Sequence, residues 1–262
     1  MARQRLDQLL VDRGLARSRS EAAALVLSGV VEMAGAGSGT LKPGQLVSED
    51  ADVRVRPGPR WASRAAAKLE AALDAFAFDP AGLACLDAGA STGGFTDLLL
   101  ERGARIVYAV DVGRGQLIDR LRRDPRVASM ERTNLRDLEG LPEPIDLATL
   151  DLSFISLRLV LPVVRHLLRE DGRVIALVKP QFEAGRDAVP RGGVVRDPAV
   201  HRQVLLQFGA DAAAAGFAPL ALIRSPISGS NGNVEFLALL APGGTAGADW
   251  GDLVGRLMPP SP

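Results

Sequence analysis

The spacing of apolar positions changes character along the chain. Over residues 3–58 the apolar runs are short. Leu6, Leu9, Leu10 and Val11, with Leu15, recur at helical spacing and predict one short helix that Gly14 ends. A second helix starts after Ser18, where Glu21 three residues on completes a capping box, and runs through Ala22, Leu25 and Val26 to Gly29. Residues 30–33 and 53–56 run apolar or alternate as short strands, with turns at 35–39 and at Lys42-Pro43-Gly44. Past the stiff linker Pro57-Gly58-Pro59-Arg60 the pattern lengthens. Ala65, Ala66, Leu69, Leu73 and Phe76 share one helix face. Strand-like runs then follow at 83–86, 106–110, 126–130, 145–150, 172–178, 217–224 and 234–240. Helical stretches at 114–123, 156–169 and 198–214 separate several of them. Strand–helix alternation of this kind predicts an α/β fold with a doubly wound, mostly parallel sheet, closed by a hairpin of the last two strands. The expected divisions are a small α+β domain at 1–58, a linker at 59–62, the large domain at 63–242 and a short, loop-like tail at 243–262.

Composition narrows the class. With 47% hydrophobic and 24% charged residues over 262 positions, the chain is an ordinary globular one. Its formal charge of zero means that any basic footprint for nucleic acid is local. The single Cys85 excludes an internal disulfide and fits a reducing compartment. His166 and His201 form no metal-ligand cluster, so no metal is expected. Arg158, Arg165 and Arg224 interrupt the longest apolar runs, and no apolar core or cleavage site follows Arg3 and Arg5. No membrane span or signal peptide is therefore expected, and the predicted location is cytoplasmic.

The chemistry gathers on residues 85–97. An apolar strand stops at Asp87, turns through Gly89-Ala90-Ser91-Thr92-Gly93-Gly94, and restarts as a helix with Phe95, Leu98, Leu99 and Leu100. Glycines let a ligand approach the backbone, and the first N–H groups of the helix face that ligand. The next strand ends in Asp111, spaced to hold the two hydroxyls of a ribose. A dinucleotide fingerprint would carry glycine where Ser91 stands. Asp87 would repel a phosphate but can accept from the ammonium of an amino acid. The pair points to S-adenosylmethionine.

Four ionisable residues are expected at the carboxyl rim of the sheet: Lys68, Asp151, Lys179 and Glu235. Each alone could be half of an ordinary ion pair. Together they suit methylation of an alcohol, which needs a base and close alignment. A lysine serves as base only where its surroundings lower a reference pKa of about 10.4, as burial and a second ammonium do. Lys179 is the candidate base, Asp151 and Lys68 position it and the hydroxyl, and Glu235 completes the network. Phe154, beside Asp151, is placed either to stack on a flipped-out nucleotide or to pack in the core. Arg114, Arg158, Arg186 and Arg191 are candidate phosphate contacts, and the charged, Gly-rich loop 183–196 is a candidate lid.

Two resemblances sharpen these expectations. The run Arg5-Leu-Asp-Gln-Leu-Leu-Val-Asp-Arg-Gly-Leu15-Ala-Arg-Ser-Arg-Ser20-Glu-Ala, then Gly29-Val-Val-Glu, resembles the RNA-binding module first seen in small-subunit ribosomal protein S-four. The likeness implies that the helix pair, with Arg3, Arg5, Arg17 and Arg19, lies on structured RNA. Val31-Glu32-Met33-Ala34-Gly35 keeps only part of that module's usual V-x-V-N-G. The order Lys68, Asp151, Lys179, Glu235 resembles the Lys-Asp-Lys-Glu tetrad of the FtsJ-like ribose 2′-O-methyltransferases. The wider chain is similar to the TlyA family of ribosomal RNA cytidine 2′-O-methyltransferases, also labelled haemolysins. That similarity runs through Ser63-Arg64-x-x-x-Lys68-Leu69, Leu86-Asp-Ala-Gly-Ala-Ser-Thr-Gly-Gly-Phe-Thr96, Glu131-Arg-Thr-Asn134, Asp151-Leu-Ser-Phe, Val178-Lys-Pro-Gln-Phe-Glu183 and Gly232-Asn-Val-Glu235. Ala65-Ala66 departs from a family preference for glycine.

The resemblance implies a Rossmann-like methyltransferase sheet that binds S-adenosylmethionine through Asp87, Gly89, Ser91, Gly93, Gly94, Phe95, Asp111, Asn134, Leu135 and Asp151. It also implies RNA contacts at Arg64 and Phe154, and cytidine ribose of 16S and/or 23S rRNA in ribosomal subunits as the substrate. The alternatives are a base methyltransferase, an RNA-binding assembly factor with a vestigial cofactor site, and a membrane-active haemolysin. An Asn-Pro-Pro-Tyr-type turn is absent at Asp151-Leu-Ser-Phe, and Cys85 is misplaced for C5 methylation. The sequence carries no sign of oligomeric state.

Overall fold

The computed structural model describes residues 3–27, 30–34, 41–56, 60–185, 188–229, 232–243 and 249–258. Gly29, the 35–39 tract, linker positions 57–59, Arg186 and the turn residues Ser230 and Asn231 lie outside the described residues. The chain divides into two compact units, Met1–Arg60 and Trp61–Pro262. The division falls within the expected linker 59–62, and Trp61 and Ala62 are tied into the second unit. The Trp61 indole donates to Glu101, and the Ala62 N–H donates to Asp97 Oδ2 at 2.8 Å.

In the first unit, strand β1 (Arg3–Arg5) leads into helices α1 (Leu6–Asp12) and α2 (Arg19–Leu27), followed by β2 (Val31–Met33), β3 (Leu46–Ser48) and β4 (Val53–Val55). Strands β1 and β3 pair antiparallel, as do β2 and β4. The sequence pattern missed β1 and β3, which are three residues each and too short to show a period. Leu6, Leu9, Leu10, Ala22, Val26, Val31, Val47 and Val53 form the core. The capping box forms in modified shape: Glu21 N–H donates to Ser18 Oγ at 3.2 Å, while the Glu21 carboxylate accepts from Arg17 N–H at 2.7 Å.

In the second unit, α3 (Ala66–Ala75) precedes β5 (Ala84–Ala88), α4 (Gly94–Glu101), β6 (Ile106–Asp111), α5 (Asp119–Arg122), β7 (Val127–Glu131) and β8 (Ile145–Leu150). Then come α6 (Leu161–Leu167), β9 (Leu168–Val178), α7 (Pro180–Glu183), α8 (Pro198–Ala214), β10 (Phe217–Arg224), β11 (Phe236–Pro242) and α9 (Trp250–Leu257). The sheet order is β10-β11-β9-β8-β5-β6-β7, with β5 to β9 parallel and β11 antiparallel to both its neighbours. Period-two alternation sends successive side chains to opposite faces. Leu86, Val110, Ala148 and Val174 meet one apolar layer with Leu161 and Leu205. Cys85, Val107, Leu147 and Ile175 meet the other with Leu69 and Leu98. Order reverses at β5, which has β6 on one side and β8 on the other. In such sheets the crevice beyond these strand ends is the binding position.

Three expectations are corrected. The helix over 114–123 shrinks to α5, because the Glu131 carboxylate accepts from the N–H groups of Gly115 at 2.8 Å and Gln116 at 3.1 Å and holds them as a loop. The helix over 156–169 breaks into a single 3₁₀ turn, Leu157–Leu159, and α6, with Pro162 in the first turn where it has no N–H to lose. The tail is not loop-like throughout. It carries α9, whose Trp250 donates from Nε1 to Leu205 O at 2.7 Å.

Candidate active site

The turn after β5 is shaped by close approach. Gly89 has φ +86°, and a Cβ there would meet the Asp151 carbonyl oxygen at 2.4 Å. Only glycine allows the ends of β5 and β8 to come this near. At Gly93, with φ +98°, a Cβ would strike the Leu121 and Leu117 side chains, so this glycine serves packing. The Asp111 carboxylate fixes the turn from the neighbouring strand: Oδ2 accepts from Ser91 N–H at 2.8 Å and Oδ1 from Gly113 N–H at 2.6 Å.

A cavity of about 480 Å³ opens at this point. Of the expected cofactor residues, Gly89, Ser91, Asp111, Asn134, Leu135 and Asp151 line it, together with Val112, Gln116 and Thr133, which sequence reasoning had not singled out. Gly94 and Phe95 border a smaller hollow beside it, of about 250 Å³. Asp87 and Gly93 line neither. Asp87 is fully buried; its Oδ2 accepts from Thr96 N–H at 2.8 Å and Thr96 Oγ1 at 2.6 Å, joining β5 to the start of α4. Burial, with added repulsion from Asp151 and Asp111, raises its carboxyl to about 7 against the hydrogen bonds from Thr96. Its Oδ1 is a buried acceptor that no donor meets among the described residues. That orphaned oxygen, the cradle at Gly89 and the acidic end of the cavity at Asp111 fit an amino-acid-bearing nucleoside such as S-adenosylmethionine. Its ammonium would satisfy the orphaned oxygen.

The smaller hollow brings Lys68, Asp151, Lys179 and Glu235 together. They form two ion pairs. Lys68 Nζ donates to Glu235 Oε2 at 2.6 Å, and Lys179 Nζ lies 2.7 Å from Asp151 Oδ1. Lys68, from α3, and Glu235, just before β11 rather than inside it, are 167 residues apart in sequence. Lys68, Lys179 and Glu235 are each over nine-tenths buried. Gly229 stands where a Cβ would collide with Glu235 Oε1. The cavity and the hollow share Gly89, Ser91, Asp151 and Ser153, so they adjoin each other. Ser153 was missed; its only sequence signal was its place in Asp151-Leu-Ser-Phe.

Phe154 is 91% exposed, with φ +65°. A large aromatic in water and in a strained backbone region is a functional signal rather than core packing. Its ring sits 5.1 Å from that of Phe182, over which Lys179 Nζ lies at 5.7 Å. Glu183, whose carboxyl burial pushes up, accepts from Ser156 Oγ at 2.6 Å and Leu157 N–H at 2.9 Å, pinning the Phe154 loop to α7. The candidate lid is tied at its far end by buried Asn233, which bonds to Gly193 O and Val195 N. Arg64 is exposed just before α3, whereas Lys68, within that helix, is buried.

The arginines of the first unit are partly neutralised. Arg5 and Arg19 both bond to the buried Asp7, at 2.7 and 3.4 Å, and Arg5 holds that carboxyl below its usual range. Arg3 donates to Leu46 O, and the Arg17 side chain is exposed.

Among the described residues no helix is long and apolar enough to cross a membrane, and no cluster of His, Cys, Asp and Glu could hold a metal. Residues 61–241 match the model of the FtsJ-like methyltransferase family. The chain is 47% identical over 242 residues to the 16S/23S rRNA (cytidine-2′-O)-methyltransferase TlyA of Mycobacterium tuberculosis, covering 91% of this chain and 90% of that protein. It is 38% identical over 240 residues to hemolysin A of Brachyspira hyodysenteriae, covering 89% and 98%. A solved structure from Streptococcus thermophilus, assigned as a hemolysin, superposes with a TM-score of 0.72 at 40% identity, covering 98% of this chain and 96% of that one.

Proposed function

The chain belongs to the FtsJ-like methyltransferase family, and we propose that it methylates the ribose 2′-oxygen of a cytidine in 16S or 23S ribosomal RNA, using S-adenosylmethionine. The observation that carries the reading is that the larger cavity adjoins, across shared residues, the hollow holding Lys68, Asp151, Lys179 and Glu235. When bound, S-adenosylmethionine supplies an electrophilic methyl group. Asp111 would hold its ribose hydroxyls, Asn134 and Leu135 its adenine side, and the Gly89–Gly94 turn its amino-acid end.

Lys179 Nζ takes the proton of the 2′-hydroxyl, and Asp151, 2.7 Å away, holds the amine in place and balances the ammonium that results. Lys68, anchored by Glu235, presents a fixed positive charge to the oxygen as it loses its proton. Phe154 offers a stacking face to a splayed nucleotide, which is how enzymes reach atoms inside folded RNA. The first unit, through Arg3, Arg5, Arg17 and Arg19, grips structured rRNA. Acting on ribosomal subunits, the protein would work in the cytoplasm.

The deciding experiment incubates the protein and its Lys179→Ala variant with labelled S-adenosylmethionine and unmodified 30S and 50S subunits, then hydrolyses the RNA in alkali. Label in an alkali-resistant dinucleotide, lost in the variant, is the expected result. Label in a mononucleotide would mean base methylation, and no label on any RNA would leave the assembly-factor reading ahead.

A further inference from the structure

We propose that Ser153 is the positioning residue that aims the Lys179 amine at the substrate hydroxyl, an inference that rests on Lys179 acting as the base. Lys179 Nζ is 2.7 Å from Asp151 Oδ1 and donates to Ser153 Oγ at 3.0 Å. A neutral primary amine carries two N–H bonds and one lone pair besides its bond to Cε. Given one acceptor, the amine engages one N–H and its lone pair can take either remaining direction. With the Asp151 carboxylate paired to it on one side and an N–H committed to Ser153 on another, the amine is fixed and its lone pair is left the direction facing the substrate.

Lys179 is 7% exposed, so water is poorly placed to act as that second acceptor, whereas the Ser153 hydroxyl stands at the shared border of the cavity and the hollow. Lys68 offers the contrast. Among the described residues its amine has the single hydrogen-bond partner Glu235, which suits a fixed charge but not an aimed lone pair.

In the step itself the 2′ O–H bond breaks, its proton forms the third N–H bond of Lys179, and the electron pair stays on the ribose oxygen. Asp151 and Ser153 keep both their contacts throughout, so the amine need not reorient when it becomes an ammonium. The energetic scale is that of one added hydrogen bond on a reacting group, about three- to tenfold in rate.

The test compares wild type, Ser153→Ala, Ser153→Cys, Ser153→Thr and Lys179→Ala in single-turnover methylation of unmodified ribosomal subunits. RNA affinity and S-adenosylmethionine affinity are measured in parallel. The expected result is a rate about three- to tenfold lower for alanine, intermediate for the weak acceptor cysteine and restored by threonine, with both affinities unchanged. A wild-type rate for Ser153→Ala overturns the proposal. So does a loss that appears in affinity rather than rate, or one that threonine fails to restore. Absence of ribose methylation by wild type, or full activity of Lys179→Ala, instead overturns the underlying reading of the base.

Discussion

The two lysine–carboxylate pairs of the site have the same chemistry and nearly the same length, yet different surroundings. Lys68–Glu235 joins α3 to the approach of β11, with side-chain exposures of 10% and 3% and no second hydrogen-bond partner for the lysine among the described residues. Lys179–Asp151 lies at the switch point of the sheet, where Asp151 is 16% exposed, Ser153 is a second acceptor and an aromatic ring lies under the amine. A buried pair with one partner each holds elements together and keeps a charge in place. A pair beside two openings, with its amine oriented by two acceptors, is built to exchange a proton. Distance alone would not separate them; the number of partners and access to the cavity do.

The sharpest way to break this comparison is Lys179→Ala, which should lower methyl transfer about 10³- to 10⁴-fold and leave S-adenosylmethionine affinity unchanged. Rate and affinity measured on the same preparation decide it, and a loss confined to affinity would reverse the assigned roles. Next in size, Glu235→Ala leaves the Lys68 ammonium buried without its partner and should destabilise the fold by about 3–5 kcal/mol in urea titration. The double change Lys68→Met, Glu235→Leu should regain most of that stability and none of the activity.

Phe154→Ala comes third. It removes an exposed ring, so stability should stay within about 0.5 kcal/mol. RNA affinity should fall by about 1–3 kcal/mol, the worth of one base stacked on an aromatic, as a binding titration would report. Equal losses in stability and affinity would mean that Phe154 supports the fold instead.

The smallest effect is a pH dependence that reaches the Lys179–Asp151 pair through Asp87. Burial raises the Asp87 carboxyl to about 7, and Asp151 adds to the rise. A carboxyl raised in the folded state binds protons more tightly there than in the unfolded chain. Its stabilising contribution is therefore full below the unfolded value of about 4 and is lost as pH climbs through 7. Stability of the free protein, followed by thermal melting, should fall between about pH 4 and 7, by an amount on the order of 1 kcal/mol once relaxation of the site is allowed for. Affinity for S-adenosylmethionine should rise over the same interval, because its ammonium needs the ionised carboxylate. Asp87→Asn should flatten both curves, and an unchanged affinity profile would remove Asp87 from cofactor binding.

Much of the scaffold was legible because it depends on local period. The strand at 145–150 and the strand at 217–224 appear with the limits their apolar runs predict, and the helix at 198–214 likewise, with the Asp197 side chain capping it at Ala199 N–H. What escaped depended on partners far away in sequence. Residues 114–118 read as helical until Glu131 claims their N–H groups, and the tail reads as loop until Trp250 finds the Leu205 carbonyl. Asp87 stands before the turn in the sequence, and only the fold shows Thr96 engaging one of its oxygens while the other meets no donor among the described residues.

By itself the sequence determined the α/β alternation, the glycine turn after the first strand of the large unit and the residue types at the strand ends, since these follow from hydrophobic period and from steric rules within a few residues. Which lysine meets which carboxylate, that Ser153 joins Lys179, that Phe154 stands in water and that Asp87 is buried with one oxygen satisfied by Thr96 follow from the packed chain alone. Those outcomes depend on distances between segments separated by up to 167 residues, and on burial created by the packed whole. No local pattern encodes either.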